Sequence, residues 1–189
     1  IWNAITGDVA ERGPFYILEE DVFPADYTSV SWNQRDSNIL AVGCGAEVAM
    51  FDAIRDRLVA LLSGHGSQVD YSGNANCVTA MTWNGSCVTS ASMADTRILH
   101  QDTRCRNSNV LVFHGHRIAP VCGLRWSPDG KFLAAGGNDN TVCVFDITMS
   151  GRQQHSSELP DALEPMLNLA GNKGAIKALD RSTASRHVL

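Results

Sequence analysis

The run Val121-Cys-Gly-Leu-Arg-Trp126, Ser127-Pro-Asp-Gly130, Lys131-Phe-Leu-Ala-Ala135, Gly136-Gly-Asn-Asp-Asn140, Thr141-Val-Cys-Val-Phe145, Asp146 decides how this chain folds. Three short apolar segments, each bounded by turn residues, predict three strands. Pro128 and Gly130 stand in favoured turn positions, and Gly136 to Asn140 supplies a second tight turn. Helical spacing of apolar residues is absent over the same stretch. Both faces of the strands carry apolar or small residues, which suits a sheet packed between two others. The small residues Ala134 to Gly137 let neighbouring sheets approach closely.

The plan recurs elsewhere. Trp32 to Asp52 spans 20 residues, Trp83 to Asp102 spans 19, and Trp126 to Asp146 spans 20. The first unit reads Thr28-Ser-Val-Ser-Trp32, Ile39-Leu-Ala-Val42, Glu47-Val-Ala-Met-Phe-Asp52. The next reads Cys77-Val-Thr-Ala-Met-Thr-Trp83, Cys87-Val-Thr-Ser-Ala91, Arg97-Ile-Leu-His-Gln-Asp102. Outer strands follow at Leu58 to Leu62 and Val110 to Phe113, running into Gly64-His65 and Gly115-His116. Successive Trp lie 51 and 43 residues apart, the size of a four-stranded propeller blade. The expected fold is therefore all-β, a partial WD-repeat β-propeller of about four blades. Residues 1–18 would end a first blade, 27–65 form a second, 77–116 a third, and 120–147 the strands of a fourth. Residues 148–170, with two Pro, read as a long exposed loop, and 171–189 as the opening of a fifth blade. Ile1 in place of Met suggests that further chain precedes this segment.

In this pattern Trp32, Trp83, Trp126, His116 and Asp139 are structural repeat positions. His116 and Asp139, 23 residues apart, are expected to meet at one blade edge, with the imidazole donating to the carboxylate. A metal site from His114, His116 and Asp139 is the functional alternative, and the repeat spacing already accounts for the latter two. No Gly-x-Ser-x-Gly elbow is present, Gly43-Cys-Gly45 lacks the third Gly of a dinucleotide fingerprint, and Asn84-Gly-Ser86 carries no meaning inside a cell. The sequence thus offers no catalytic residue, no metal site and no cofactor.

Composition narrows the partners. Of 189 residues 44% are apolar and 19% charged with a net charge of −5, which argues against disorder. Fifteen basic residues face twenty acidic ones, and only Lys131, Lys173 and Lys177 are lysines. No basic cluster is dense enough for a phosphate backbone, so neither nucleic acid nor membrane is expected as a partner. The longest strongly apolar run, Leu58 to Leu62, is far below the roughly 18–20 residues of a membrane span, and a soluble protein is expected. Six Cys at 44, 77, 87, 105, 122 and 143, mostly within apolar runs, read as reduced thiols in the cytoplasm or nucleus.

Val121 to Gly130 followed by Leu133-Ala-Ala-Gly-Gly-Asn-Asp-Asn140 closely resembles the fourth blade of the fizzy and fizzy-related family, the WD-repeat activators of the anaphase-promoting complex. Asn38-Ile-Leu-Ala-Val-Gly43 with Ala46-Glu-Val48 is similar to the second blade. Arg97 to Asp102 with Thr103-Arg104 is similar to the third, and Gly174-Ala-Ile-Lys-Ala178 to the start of the fifth. The resemblance covers nearly the whole chain and about half of a seven-bladed ring. It implies a non-catalytic activator that binds degron-bearing substrate proteins, engages subunits of that ubiquitin ligase, and works in nucleus and cytoplasm. By resemblance Asn138 and Asn140 belong to a top-face site for Lys-Glu-Asn degrons; the plainer reading is that both serve the turn. The functional alternative is a WD-repeat scaffold in an unrelated complex, or a degenerate relative that activates nothing.

Departures from the family pattern are visible. Phe51 and Phe145 replace the usual Trp, Ala135 replaces a common hydroxyl residue, Asp180 replaces an aromatic, and residues 64–76 are longer than the family's loop. Any hydrogen-bonded chain through those positions should be shortened. Such divergence suits a fungal-type or meiosis-specific member.

Overall fold

The computed structural model describes residues 27–66, 73, 75–105, 111–116, 120–149 and 162–180. Thirteen strands are found among them, in three sheets. The first sheet is an antiparallel meander of β1 (Tyr27–Trp32), β2 (Ile39–Cys44), β3 (Glu47–Asp52) and β4 (Arg57–Leu62). The second repeats it with β5 (Val78–Asn84), β6 (Cys87–Ser92), β7 (Ile98–Asp102) and β8 (Leu111–Phe113). The third comprises β9 (Val121–Trp126), β10 (Phe132–Gly137) and β11 (Val142–Asp146), with β13 (Leu167–Leu169) outermost. A two-residue strand, β12 (Ala162–Leu163), joins the second sheet as a fifth member.

The sheets are stacked like blades. Their inner strands β1, β5 and β9 stand side by side, and β2 and β6 face the inner strand of the following sheet. Burial follows from that stacking. Middle strands β3, β6 and β10 are buried over five consecutive residues, because both faces are covered, whereas outer strand β4 alternates between exposed and half-buried. The core consequently lies between sheets. One cluster joins Ala41, Val48 and Met50 to Val78, Trp83 and Val88. The other joins Ala91, Ile98 and Phe113 to Trp126, Leu133 and Phe145, with Phe113 and Phe145 edge to face at 5.1 Å. This is the WD-repeat propeller architecture, present in part.

Each inner strand contains a bulge at the same place. The register skips Thr28 in β1, Thr79 in β5 and Cys122 in β9. A bulge turns the extra residue out of the ladder and re-aims its side chain. Thr28 Oγ1 accordingly donates to the Val78 carbonyl of the next inner strand, and Thr79 Oγ1 donates to Val121. The tryptophans link in the other direction: Trp83 Nε1 donates to Ser31 O at 3.0 Å, and Trp126 Nε1 to Thr89 Oγ1 at 2.8 Å. Trp32, at the matching position of the first sheet, is 44% exposed.

One expectation changes. Residues 148–170 are more than an exposed loop: a single 3-10 turn (Ile147–Met149) leads away from β11, and β12 and β13 then pair with two different sheets. Leu167-Asn-Leu169 is too short, and too close to Pro165 and Gly171, to announce a strand. It forms because the outer edge of β11 offers unpaired backbone groups. Residues 174–179 join no sheet. They dock against the third one, where Ile176 N donates to Gly137 O at 3.0 Å and Leu179 lies over Gly123. The expected end of a first blade at 1–18 falls outside the described residues, as do 181–189.

Candidate functional site

The turns β2–β3, β6–β7 and β10–β11 share one end of the stacked sheets. In the third sheet that turn is Gly137-Asn-Asp-Asn-Thr141. Asp139 points inward and organises it: Thr141 donates to Oδ1 from both its amide, at 3.2 Å, and its hydroxyl, at 2.7 Å. The expected partner arrives from β8's far end, where buried His116 donates from Nδ1 to Asp139 at 2.9 Å. His116 Nε2 donates to the Ala135 carbonyl at 3.1 Å, so both ring nitrogens are engaged within the fold. With no hydroxyl on Ala135, the imidazole falls back on that residue's backbone, which is the shortened network the sequence predicts. Burial pushes the Asp139 carboxyl up, but the Thr141 and His116 bonds outweigh it and hold the group below the usual range. A Cβ on Gly137 would collide with His116 and Asp139, so only glycine lets the ring come this close.

The residues on either side of Asp139 differ in exposure, Asn140 being half-buried. Asn138 is exposed, and its amide N donates to Pro120 O at 2.9 Å. Asn140 sits at φ 64°, in the left-handed region that Asn tolerates, and its N donates to Gly137 O at 3.3 Å. Both backbones are thereby fixed. Neither side-chain amide bonds another described residue. The turn therefore presents two amides, each with donor and acceptor capacity, on a backbone held by His116, Pro120 and Ile176.

The second sheet carries a fuller version of the same device. His65 Nδ1 donates to Asp95 Oδ2 at 3.0 Å, and Nε2 accepts from the Ser90 hydroxyl at 3.0 Å. Asp95 also receives Ser92 Oγ and, at 2.8 Å, Arg97 Nη2. Burial raises the Asp95 carboxyl, yet these bonds and the facing His65 hold it far below the ordinary carboxylate range. Gly64-His65 stands out in the sequence, but its partner does not, because the spacing is 30 residues here and 23 in the third sheet. At this turn Thr96, φ 52°, takes the place that Asn140 holds.

The opposite end of the sheets has a cavity of about 240 Å³ among Arg35, Trp83, Asn84, Arg125 and Asp129. Trp83 is spent on Ser31, Asn84 donates to Gly130 O at 2.9 Å, and Arg125 pairs with Asp180 at 2.9 Å. Its polar groups are thus largely committed to joining turns.

Residues 107–146 match the family described as "WD domain, G-beta repeat". The chain is 36% identical over 149 residues to "Anaphase-promoting complex subunit cdc20" of Dictyostelium discoideum, covering 78% of this chain and 26% of that protein. It is 37% identical to "Anaphase-promoting complex subunit cdh1" of the same organism, covering 82% and 18%. With "Protein FIZZY-RELATED 2" of Arabidopsis thaliana it shares 35% identity, covering 95% and 31%.

The chain belongs to the fizzy and fizzy-related WD-repeat family.

A chain in the solved structure titled "Crystal Structure of Mitotic Checkpoint Complex" superimposes with a TM-score of 0.69 at 26% identity, over 98% of this chain and 49% of that one. The chain spans less than a third of the length of these three curated family members.

Proposed function

We propose that this chain is part of a substrate-recruiting activator of the anaphase-promoting complex, present in nucleus and cytoplasm. Its part is to hold degron peptides on the turn end of the propeller and bring them to the ligase. It carries out no covalent chemistry. The observation that carries this reading is the pair of side-chain amides at Asn138 and Asn140, neither bonded to another described residue, on a turn whose backbone is hydrogen-bonded to Pro120, in a chain whose relatives are named for that complex. A Lys-Glu-Asn peptide offers an ammonium, a carboxylate and an amide, and an Asn amide can serve each of them.

The test must separate recognition from turn structure. Asn140→Gly keeps the left-handed backbone and removes the amide, and Asn138→Ala removes an exposed one. In the full-length protein both variants should melt within a few degrees of wild type and bind a Lys-Glu-Asn peptide at least about tenfold more weakly. Unchanged affinity in both removes the site assignment. Absence of binding by wild type, or of ligase stimulation in a ubiquitination assay, overturns the function.

A further inference from the structure

Strand β8 closes the second sheet's own meander, and its outer side would otherwise be an open edge. β12 occupies it. This segment belongs to the connection between β11 and β13 of the following sheet, and it crosses back to pair in parallel, Ala162 opposite Val112 and Leu163 opposite Phe113. His114 N donates to Leu163 O at 3.0 Å. Leu163 is only 4% exposed and packs into the cluster that contains Ile98, Phe113, Val121 and Phe145, so its pocket is built by both sheets. The chain then returns to its own sheet through Met166 N to Val144 O, at 2.8 Å, and β13.

Three features distinguish this contact from an ordinary fifth strand. It is parallel, whereas the other pairings in the three sheets are antiparallel. It is two residues long. Pro165 stands two residues beyond it and has no N–H to donate to a ladder. What remains is main-chain bonding to a sheet edge plus one aliphatic side chain in an interblade pocket, which is how sheet edges capture extended peptides.

We propose that the outer edge of β8 is a docking groove for an extended peptide that seats a leucine between the second and third sheets. The chain fills the groove with its own Leu163 until a partner protein's segment of the same chemistry displaces it. The tethered segment has a high effective concentration, so a peptide in trans competes poorly with it. Removing the tethered leucine removes that handicap. This groove lies on the outer edge, apart from the turn bearing Asn138 and Asn140, and stands or falls independently of the degron reading.

The test uses the full-length protein and a fluorescein-labelled peptide of residues 159–166. It should bind the Leu163→Asp protein at least about tenfold more tightly than wild type, and the same peptide with Asp at the leucine position should bind neither. Equal binding to both proteins, or no binding to the variant, overturns the proposal. A second arm needs no variant protein. Millimolar unlabelled leucine peptide should free the tethered segment of wild type and speed amide hydrogen exchange across residues 162–164, read by mass spectrometry on fragments that extend beyond residue 166. The Asp peptide should not. If Leu163→Asp does not fold, this arm decides alone, and an exchange rate indifferent to the leucine peptide overturns the proposal.

Discussion

Trp126 Nε1 donates to Thr89 Oγ1 across 2.8 Å, from the inner strand of one sheet to the second strand of the sheet before it. An indole N–H can only donate, so the Thr89 hydroxyl accepts from it and has one proton left to give. That proton goes to His100 Nδ1 at 2.7 Å, and the His100 ring lies 5.1 Å from that of Trp126. All three residues are buried. A directional chain therefore crosses the interface from Trp126 to Thr89 to His100, and it is complete only with a neutral imidazole.

Thr89→Val keeps the shape of the side chain and leaves both Trp126 Nε1 and His100 Nδ1 without a partner. The expected loss is about 2 kcal/mol in urea unfolding of the full-length protein. Adding Trp126→Phe to Thr89→Val should cost less than the two single losses together, since the donor left stranded is then gone. Full additivity would show that the bond contributes nothing.

The same interface makes stability depend on pH. Burial holds the His100 pKa at about 4, against a smaller upward pull from Asp102, while an unfolded chain titrates near the ordinary 6.5. Above pH 6.5 neither state binds the proton. Between 6.5 and about 4 the unfolded chain takes it up and the folded one refuses it, so stability falls as pH falls, by about 3 kcal/mol at the lower end. Asp95 extends the loss: its carboxylate is favoured by folding, and that contribution disappears as pH drops below the ordinary 3.8. His100→Gln should flatten the profile between pH 6.5 and 4.5 and leave the more acidic limb intact. A wild-type profile already flat over that interval contradicts the account.

The two His–Asp pairs should differ in weight. Asp95 has a side chain 4% exposed and serves His65, Ser92 and Arg97, whereas Asp139 is 18% exposed and serves His116 and Thr141. Asp95→Ala should cost about 3 kcal/mol and Asp139→Ala about half of that, measured by denaturant titration. The reverse order would mean that the carboxylate's partners do not set its contribution.

The bulged threonines offer a matched pair. Thr28→Val and Thr79→Val each remove a hydroxyl that reaches the next inner strand, at Val78 and Val121. Each should lose about 1 kcal/mol and preserve the far-ultraviolet signal of the sheets. A loss in only one of them would break the equivalence of the two interfaces.

Strand identity was legible along the chain because it is a local property. Short apolar runs between Gly, Pro and Asn turns place β9, β10 and β11 within a residue or two of where they form. His116 and Asp139 were legible as partners because the repeat spacing is undisturbed there. Asp95 was not, since the longer connection after His65 shifts its distance in sequence while leaving its place in the sheet alone. β13 escaped for a different reason: Leu167, Asn168 and Leu169 are all exposed, so no burial pattern is written into them.

By itself the sequence determined the repeating strands, their turns and the aromatic-to-acid intervals, because backbone preference and apolar periodicity act between near neighbours. Only the tertiary structure decided which hydroxyl meets which carbonyl across the sheets, that His100 stands at the end of a chain from Trp126, and that Leu163 leaves its own sheet to complete another. Those outcomes depend on how stacked surfaces bring distant residues within bonding distance, and a linear order of residues does not contain that geometry.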